Sequence, residues 1–362
     1  MALDLQLDFL QAKAPPLIGV DISSSSIKMV ELSEAGKNQY RLEHYVVEPL
    51  PRDAVTDGNI ANLDVVGDCV RRAWKRMGGR VRNAAVALPA AAVITKKIVA
   101  PSGLREEELE MQVETEANQY IPFSLDEVNL DFQVLGPAPG DGGEIELLIA
   151  ASRKEKVEDR VAAVEAAGLK AVVVDVETYA TQTAADLMVR QLPGGARDRT
   201  VAIVDIGSTM MHINVLLNGE SVYMREQTFG GNQLTQEIQR RYSLSSDEAE
   251  VAKRSGDLPE NYTVEVLQPF METMALEVAR AMQFFFSSTQ YNRIDHILLA
   301  GGCASIPGLS QVVSARTQVD VRLANPFIGM VFGSAVKTRQ LDQDAPSLLI
   351  ACGLALRRFD PS

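Results

Sequence analysis

The chain has 362 residues, of which 46% are hydrophobic and 23% charged, and its formal net charge is −13. This composition predicts a folded protein with more than one lobe and excludes an intrinsically disordered chain. The negative charge argues against nucleic acid as a partner, because phosphate binding needs a concentrated basic surface. The three cysteines and three histidines are dispersed along the chain, which is typical of a reduced cytoplasmic protein without a disulfide framework or a thiol–imidazole metal site.

The first part of the chain predicts a tail, a hairpin and a helix. Residues 1–16 carry acids where a secretion signal needs positive charge, and we expect a tail outside the core. A buried strand at 17–22 followed by an alternating strand predicts a hairpin. Apolar residues at helical spacing over 62–77 predict an amphipathic helix with Trp74 in the core. We place these elements in a first lobe, residues 17–92.

Residues 93–168 have a different pattern and predict a small α/β insertion in the first lobe. A helix with three glutamates in its first turn, at 106–108, ends at Pro122. Strands are expected on both sides of the Gly- and Pro-rich loop at 136–143. An amphipathic helix then closes the segment at Gly168.

The remainder of the chain predicts the rest of the first lobe and a second one. A strand that leads into a helix, at 169–192, returns to lobe one, and a linker, "LPGGARDR", follows. Residues 335–362 also belong to lobe one, since the apolar run 348–356 predicts a last core helix. The second lobe is predicted to comprise a core at 199–230 and 291–334 and a helical subdomain at 231–290.

One pattern occurs twice: a buried strand ending in Val-Asp-Ile, a turn of small residues, and a second alternating strand. The aligned residues are Asp21, Ser23, Ser24 and Ser25 in the first copy, followed there by Ser26, and Asp205, Gly207, Ser208 and Thr209 in the second. A single such turn is common in hairpins, but two copies in two lobes favour opposing anion-binding turns. Because acids repel phosphate, we expect Asp21 and Asp205 to hold a hydrated Mg²⁺ that bridges to it.

Two further features fit the same cleft. Gly301 and Gly302 follow a buried strand and precede a helix, which lets the backbone approach a flat ring or a sugar. Glu250 and Lys253 lie one helical turn apart and are candidates for contacts to ribose and adenine. The alternative for this pair is a plain surface ion pair. The sequence contains neither a P-loop nor a kinase-type glycine loop.

The order of these elements from residue 17 onward resembles the actin-like ATPase superfamily. The insertion and the segment "GGNQLTQEI…SDEAEVAKR" are similar to the bacterial division protein FtsA, and the similarity is closer still to the PilM family of type IV pilus assembly. The matching stretches are "LIGVDISSSSIKMVEL", "QYIPFSLDEVNLDF" and "LLIACGLALRR". The resemblance implies an α/β fold of the actin-like, ribonuclease H-like type, with two lobes and an FtsA-type subdomain inserted in lobe one.

The resemblance also implies a site for ATP or ADP with Mg²⁺ between the lobes. It assigns phosphate to Asp21, Ser23, Ser24, Ser25, Ser26 and Lys28 in the first turn and to Asp205, Gly207, Ser208 and Thr209 in the second, with Gly230 beside them. It assigns adenosine to Glu250, Lys253, Gly301 and Gly302. Asp175 or Glu177, together with Asp205, would orient water or metal. Serines stand where many relatives have glycine in the first turn, and their Cβ atoms limit backbone approach, so we expect binding with weak hydrolysis.

The partner implied by the resemblance is the cytoplasmic N-terminal segment of PilN, in a groove between the inserted subdomain and the first lobe. Other pilus components, such as the assembly ATPases, and further copies of the chain are also implied. The chain would then be cytoplasmic and peripheral to the inner membrane, since no segment approaches the roughly 20 apolar residues of a membrane span. The acidic helix at 104–120 would either receive a basic residue of the peptide or form a solvated face.

Two alternatives stay open. An FtsA-like membrane-tethered filament protein needs a terminal amphipathic helix with a broad basic face, whereas 348–356 fits a core helix better. A small-molecule kinase of the same superfamily needs a catalytic base and a polar substrate pocket. Asp175, Glu177 and Asp205 supply acids, but no motif for a second substrate is visible.

Overall fold

The computed structural model describes residues 15–36, 39–140, 142–192, 195 and 197–360. Most of the predicted tail and part of the predicted linker lie outside these residues. The strands are β1 (Ile18–Ile22), β2 (Ser26–Gly36), β3 (Gln39–Pro49), β4 (Val55–Thr56), β5 (Asn59–Ile60), β6 (Asn83–Leu88), β7 (Val93–Pro101), β8 (Val128–Pro137), β9 (Glu144–Arg153), β10 (Lys170–Val176), β11 (Thr200–Ile206), β12 (Met211–Leu217), β13 (Glu220–Gln227), β14 (His296–Ala300), β15 (Asp320–Leu323) and β16 (Val331–Phe332). The helices are α1 (Leu63–Met77), α2 (Glu106–Tyr120), α3 (Lys154–Glu165), α4 (Glu177–Val189), α5 (Gly231–Tyr242), α6 (Ser246–Ser255), α7 (Gln268–Ser288), α8 (Leu309–Thr317), α9 (Thr338–Asp344) and α10 (Leu349–Leu356).

The two large sheets repeat one topology. Their strand orders are β10–β6–β1–β2–β3–β16 and β13–β12–β11–β14–β15. In each sheet an antiparallel meander comes first in the chain, and its first strand then pairs in parallel with β6 or with β14. The two predicted hairpins are therefore confirmed. Each turn of the repeated pattern follows an interior strand of its sheet, where apolar residues on both faces keep the strand buried.

Helices α4 and α10 lie between the two large sheets. One apolar cluster joins Val30 and Leu32 of β2 to Ile203 of β11 and Leu298 of β14, through side chains of both helices. Because α10 has protein on every side, its sequence is apolar all round rather than amphipathic. The predicted core helix at 348–356 is confirmed, and this layer connects the lobes.

The outer face of the six-stranded sheet is covered by α1 and α3. Val66 and Val70 of α1 pack in one cluster with Ala163 and Val164 of α3, and Trp74 packs against that cluster from its edge. The sequence pattern groups α3 with the insertion. Its apolar face instead meets α1 and the six-stranded sheet, so this helix packs as part of the first lobe.

The inserted segment keeps a sheet and a helix of its own. Strand β9 lies between β7 and β8, antiparallel to both. Helix α2 covers one face of this sheet through Leu109 and Val113, which pack with Ile98, Leu147 and Ile149. This small core holds the segment together. The outer edges of β7 and β8 are not paired with another strand of this sheet.

The outer face of the five-stranded sheet carries α7 and α8. Phe270, Met274, Val278, Met282 and Phe285 of the long helix α7 are buried there. A π-helical turn at Thr263–Leu267 precedes α7. Helices α5 and α6 pack against each other beside this layer. None of the described helices is long and apolar enough to cross a membrane.

Candidate functional site

The two repeated turns face each other across the boundary between the lobes. The hydroxyl oxygen of Ser24 lies 2.7 Å from that of Ser208 and 3.5 Å from that of Thr209. Nearer the rim, the guanidinium of Arg52 donates to the carbonyl oxygen of Ser246 at 2.8 Å. The residues predicted to form opposing turns are therefore brought together, and hydroxyl groups bridge them directly.

A lysine beside the first turn bonds to the acid and to a serine of that turn. Lys28 lies opposite Asp21 in the β1–β2 hairpin, and its Nζ donates to Asp21 Oδ2 at 2.8 Å and to Ser23 Oγ at 3.3 Å. Burial by itself lowers the pKa of the Lys28 ammonium, but Asp21, Asp205 and Glu177 raise it above the ordinary value. One ammonium therefore lies within electrostatic reach of three carboxylates.

The first turn is closed on itself by its serines. The backbone N–H and the hydroxyl of Ser23 both donate to the carbonyl oxygen of Ser26, at 3.1 and 2.9 Å. The carbonyl oxygen of Ser25 accepts from the N–H of Leu50 at 3.0 Å. Behind the turn, Arg160 of α3 is 2% exposed and donates to the carbonyl oxygen of Ile22 at 2.8 Å. This buried arginine fixes the end of β1, and no local sequence pattern predicts its position.

The second turn is fixed by the N-terminus of α5. The carbonyl oxygens of Gly207 and Ser208 accept from the N–H groups of Gly231, at 3.0 Å, and Asn232, at 2.8 Å. A Cβ at Gly230 would lie 2.6 Å from the carbonyl oxygen of Ser208, so only glycine allows this approach without a shift. The first N–H groups of α5 thus bind the turn itself.

The predicted adenosine residues lie beside the second turn. Gly301 has a φ of 84°, and a Cβ there would lie 2.5 Å from Asp205 Oδ1. A Cβ at Gly302 would meet nothing within 4 Å. The lack of a side chain at Gly301 thus leaves room for the Asp205 carboxylate, and the space beside Gly302 is open.

Glu250 and Lys253 are joined in a partly buried ion pair. Lys253 Nζ lies 2.6 Å from Glu250 Oε2 and donates to Thr235 Oγ1 of α5 at 2.7 Å. Burial raises the pKa of Glu250, but the ion pair with Lys253 and the bonds from Arg254 and Thr235 outweigh it and bring the pKa to about 2. The pair is therefore more than a surface contact, and it lies at the N-terminal end of α5.

Of the two acids near the junction of β10 and α4, Glu177 lies near Asp21 and Asp205. Burial, together with the charge of Asp21, raises its pKa to about 7. Burial also raises the pKa of Asp205. Asp175 is engaged elsewhere, since Arg357 donates to its two oxygens at 2.6 and 2.9 Å. The contacts of Asp175 are those of a structural ion pair rather than of a group free to orient water.

His212 is a further cation that the sequence analysis did not identify. It lies opposite Asp205 in the β11–β12 hairpin, at the register position that Lys28 takes opposite Asp21. Burial opposes its charge, but Glu226, 3.4 Å from Nδ1, and the cleft acids raise its pKa to about 9. The sequence pattern that could have indicated it is the alternation of side chains along β12, where the polar His212 stands between the inward Met211 and Ile213.

A pocket opens beside these acids on the face of β11 to β13 that looks toward α4. Thr178 and Thr181 of α4 line it from one lobe, and Ile203, Asn214 and Glu226 from the other. Asn214 is 5% exposed, and its Nδ2 lacks a partner among the described residues. The acids therefore lie at a boundary that both lobes build.

Comparison with known proteins decides the family. The family model described as "Type IV pilus assembly protein PilM" matches residues 19–359. The chain belongs to this PilM family. It is also similar to a solved chain described as "PilM-PilN type IV pilus biogenesis complex", with 26% identity, a TM-score of 0.78, and coverage of 97% of this chain and 100% of that one.

A more distant solved structure shows the fold alone. The ethanolamine utilization protein EutJ from Carboxydothermus hydrogenoformans is 18% identical, with a TM-score of 0.52 over 94% of this chain and 89% of its own. The predicted actin-like fold with two lobes is confirmed for this PilM-family chain. It is an actin-like protein of type IV pilus assembly.

Proposed function

We propose that this chain is an adaptor of the pilus assembly platform that couples nucleotide state to assembly and retraction. It would bind ATP or ADP with Mg²⁺ between its lobes and the cytoplasmic N-terminal segment of PilN on its surface. The observation that carries the proposal is the match to the PilM family over 19–359, together with the similarity to the chain in the PilM–PilN complex. Its place would be the cytoplasmic face of the inner membrane, held there by its partners.

The nucleotide part of the proposal rests on the donors that converge in the cleft. The hydroxyls of Ser24 and Ser208 now bond each other, and both would turn to phosphate when the lobes separate. Asp21 and Asp205 offer the hard oxygen ligands that Mg²⁺ prefers, and Glu177 would orient water. Among the described residues no group of three or more His, Cys, Asp or Glu is arranged to hold a metal. The cation would therefore share its ligands with phosphate and water.

Weak hydrolysis is supported by the closed first turn. Ser23 directs both its N–H and its hydroxyl to Ser26, which leaves these donors within the turn rather than open to phosphate. A preorganised set of N–H donors around the transferred phosphoryl group is what accelerates such a reaction. Binding without efficient turnover fits an adaptor whose lobes respond to nucleotide.

The groove proposed for PilN lies between β10 and β7. Val172 and Val174 on the edge strand β10 are 46% and 39% exposed. Tyr179 of α4, whose pKa is raised by burial, faces Thr95 and Lys97 of β7. An extended peptide would bury the two valines and pair with a free strand edge, which is the common mode for short segments.

Calorimetry with a synthetic peptide of the PilN N-terminal segment tests both halves of the proposal. We expect binding to the wild-type chain, and loss of binding in Val174→Asp. The matched control is Val264→Asp, which adds the same charge at an exposed valine on the other lobe. ATP·Mg²⁺ should change the peptide affinity by the factor by which the peptide changes the ATP affinity. A peptide that binds V174D as tightly as it binds the wild type would overturn the groove. Failure of ATP to bind the chain, with or without the peptide, would overturn the nucleotide site.

The burial of α10 weighs against a membrane-tethered filament protein. Leu349 and Leu354 are fully buried between the sheets, so the last described helix has no apolar face left for a lipid surface. Liposome co-sedimentation of the chain alone should therefore give no strong binding.

A further inference from the structure

The cleft concentrates negative charge that needs compensation inside the protein. Asp21 is 2% exposed, and, together with burial, its charge raises the pKa of both Glu177 and Asp205. Like charges at a desolvated site destabilise the fold unless cations face them. The cations that face this site are Lys28 and His212 from the two hairpins, and Arg160 from α3.

Lys28 is the cation that bonds directly to a proposed metal ligand. Its Nζ lies 2.8 Å from Asp21 Oδ2, and its side chain is only 12% exposed. His212 is bonded to Glu226, and Arg160 is bonded to the carbonyl oxygens of Ile22 and Gly58. Of these three cations, Lys28 is therefore the one placed beside Asp21 to be exchanged for another cation.

We infer that Lys28 is the resident cation of the nucleotide-free cleft and takes the place of the divalent cation beside Asp21. The consequence is an order of binding. Mg²⁺ does not bind by itself, because the ammonium already neutralises its ligands, and it enters only with a nucleotide whose phosphates draw Lys28 away. The inference rests on the proposed nucleotide site.

The test uses Mn²⁺ as the probe and the 362-residue chain without nucleotide. Binding is measured as a loss of the paramagnetic resonance signal of free Mn²⁺. Wild type and Lys28→Arg should leave the signal unchanged. Lys28→Gln keeps a donor for Asp21 but removes the charge, and we expect it to bind one Mn²⁺ per chain at least about tenfold more tightly than the wild type. Adding Asp205→Asn to K28Q should abolish that gain.

Two outcomes overturn the inference. One is uptake of Mn²⁺ by the nucleotide-free wild type, which needs no variant to be observed and so holds even if K28Q fails to fold. The other is a K28Q chain, folded by circular dichroism, that binds no more Mn²⁺ than K28R. ATP binding measured by calorimetry with Mg²⁺ present is a separate arm. Its failure counts against the nucleotide site, whereas the Mn²⁺ arms judge Lys28 alone.

Discussion

The hydroxyl oxygens of Ser24 and Ser208 lie 2.7 Å apart and form a hydrogen bond between the two lobes in the cleft. Each serine follows the acid-bearing strand of its own sheet, so the bond links the two copies of the repeated pattern. A phosphate group placed between the turns would need this bond to open. Under the proposed function, this contact between the two serines is one that would change with the angle between the lobes.

Removal of one of these hydroxyls should destabilise the nucleotide-free protein slightly. We expect Ser24→Ala to lower the free energy of unfolding by about 1 kcal/mol, because a partly buried hydroxyl on Ser208 loses its partner. Urea unfolding without nucleotide measures the change. The exposed Ser124, which makes no side-chain capping bond, provides the control as Ser124→Ala and should leave stability unchanged. An equal loss in both variants would contradict the assignment.

Asp175 should behave as half of a structural ion pair. Its two oxygens accept from Arg357, which lies far along the chain in the turn after α10. We expect Asp175→Asn to lower the free energy of unfolding by about 2–4 kcal/mol, since one partner of a largely buried pair is lost. Arg357→Gln should cost a similar amount, and the double variant should cost less than the sum.

Nucleotide binding separates this role from a catalytic one. The folded D175N chain should bind ATP with the wild-type affinity, measured by calorimetry at a temperature where both are folded. A D175N chain of normal stability that has lost ATP binding would show that Asp175 belongs to the nucleotide site.

Glu177 should make stability depend on pH in a defined window. Its pKa is raised from the ordinary 4.5 to about 7 by burial first and by Asp21 second. The folded state then holds a proton that the unfolded state releases, so stability is full below about pH 4.5 and falls as pH rises toward 7. Glu177→Gln removes this loss, and its stability relative to the wild type should increase from pH 5 to pH 8.

Urea unfolding at intervals of pH across this window tests the expectation. Glu165→Gln on the exposed end of α3 is the matched control and should follow the wild-type profile. A parallel shift of E177Q at every pH would mean that the carboxyl group titrates alike in the folded and unfolded states.

Local pattern was sufficient to predict the elements that build the cleft. The strand before each turn is apolar on both faces, so its burial and the hairpin after it follow from a few neighbouring residues. Asp21 and Asp205 were placed on opposing turns because the same pattern occurs twice. The correct predictions therefore concern local structure, and the repeated pattern allowed the same prediction to be made in both lobes.

The parts that were missed depend on packing between distant segments. Arg357 reaches Asp175, and Arg160 reaches the end of β1, across separations that no local pattern encodes. Helix α3 is amphipathic, but amphipathicity does not say which sheet its apolar face will cover, and in the structure it packs with α1. The alternation around His212 indicates a residue of the cleft only when β12 is already known to line the cleft.

Two glycines near the second turn should respond to alanine in opposite ways. A Cβ at Gly230 would lie 2.6 Å from the carbonyl carbon and oxygen of Ser208, so Gly230→Ala forces α5 away from the turn. We expect a loss of about 1–3 kcal/mol in the free energy of unfolding, as for other overpacked sites. Gly302→Ala meets nothing within 4 Å and should unfold like the wild type, but its methyl group would stand where the proposed adenosine approaches the backbone. Urea unfolding and ATP titration of both variants test the contrast, and a G302A chain with unchanged ATP affinity would place the adenosine elsewhere.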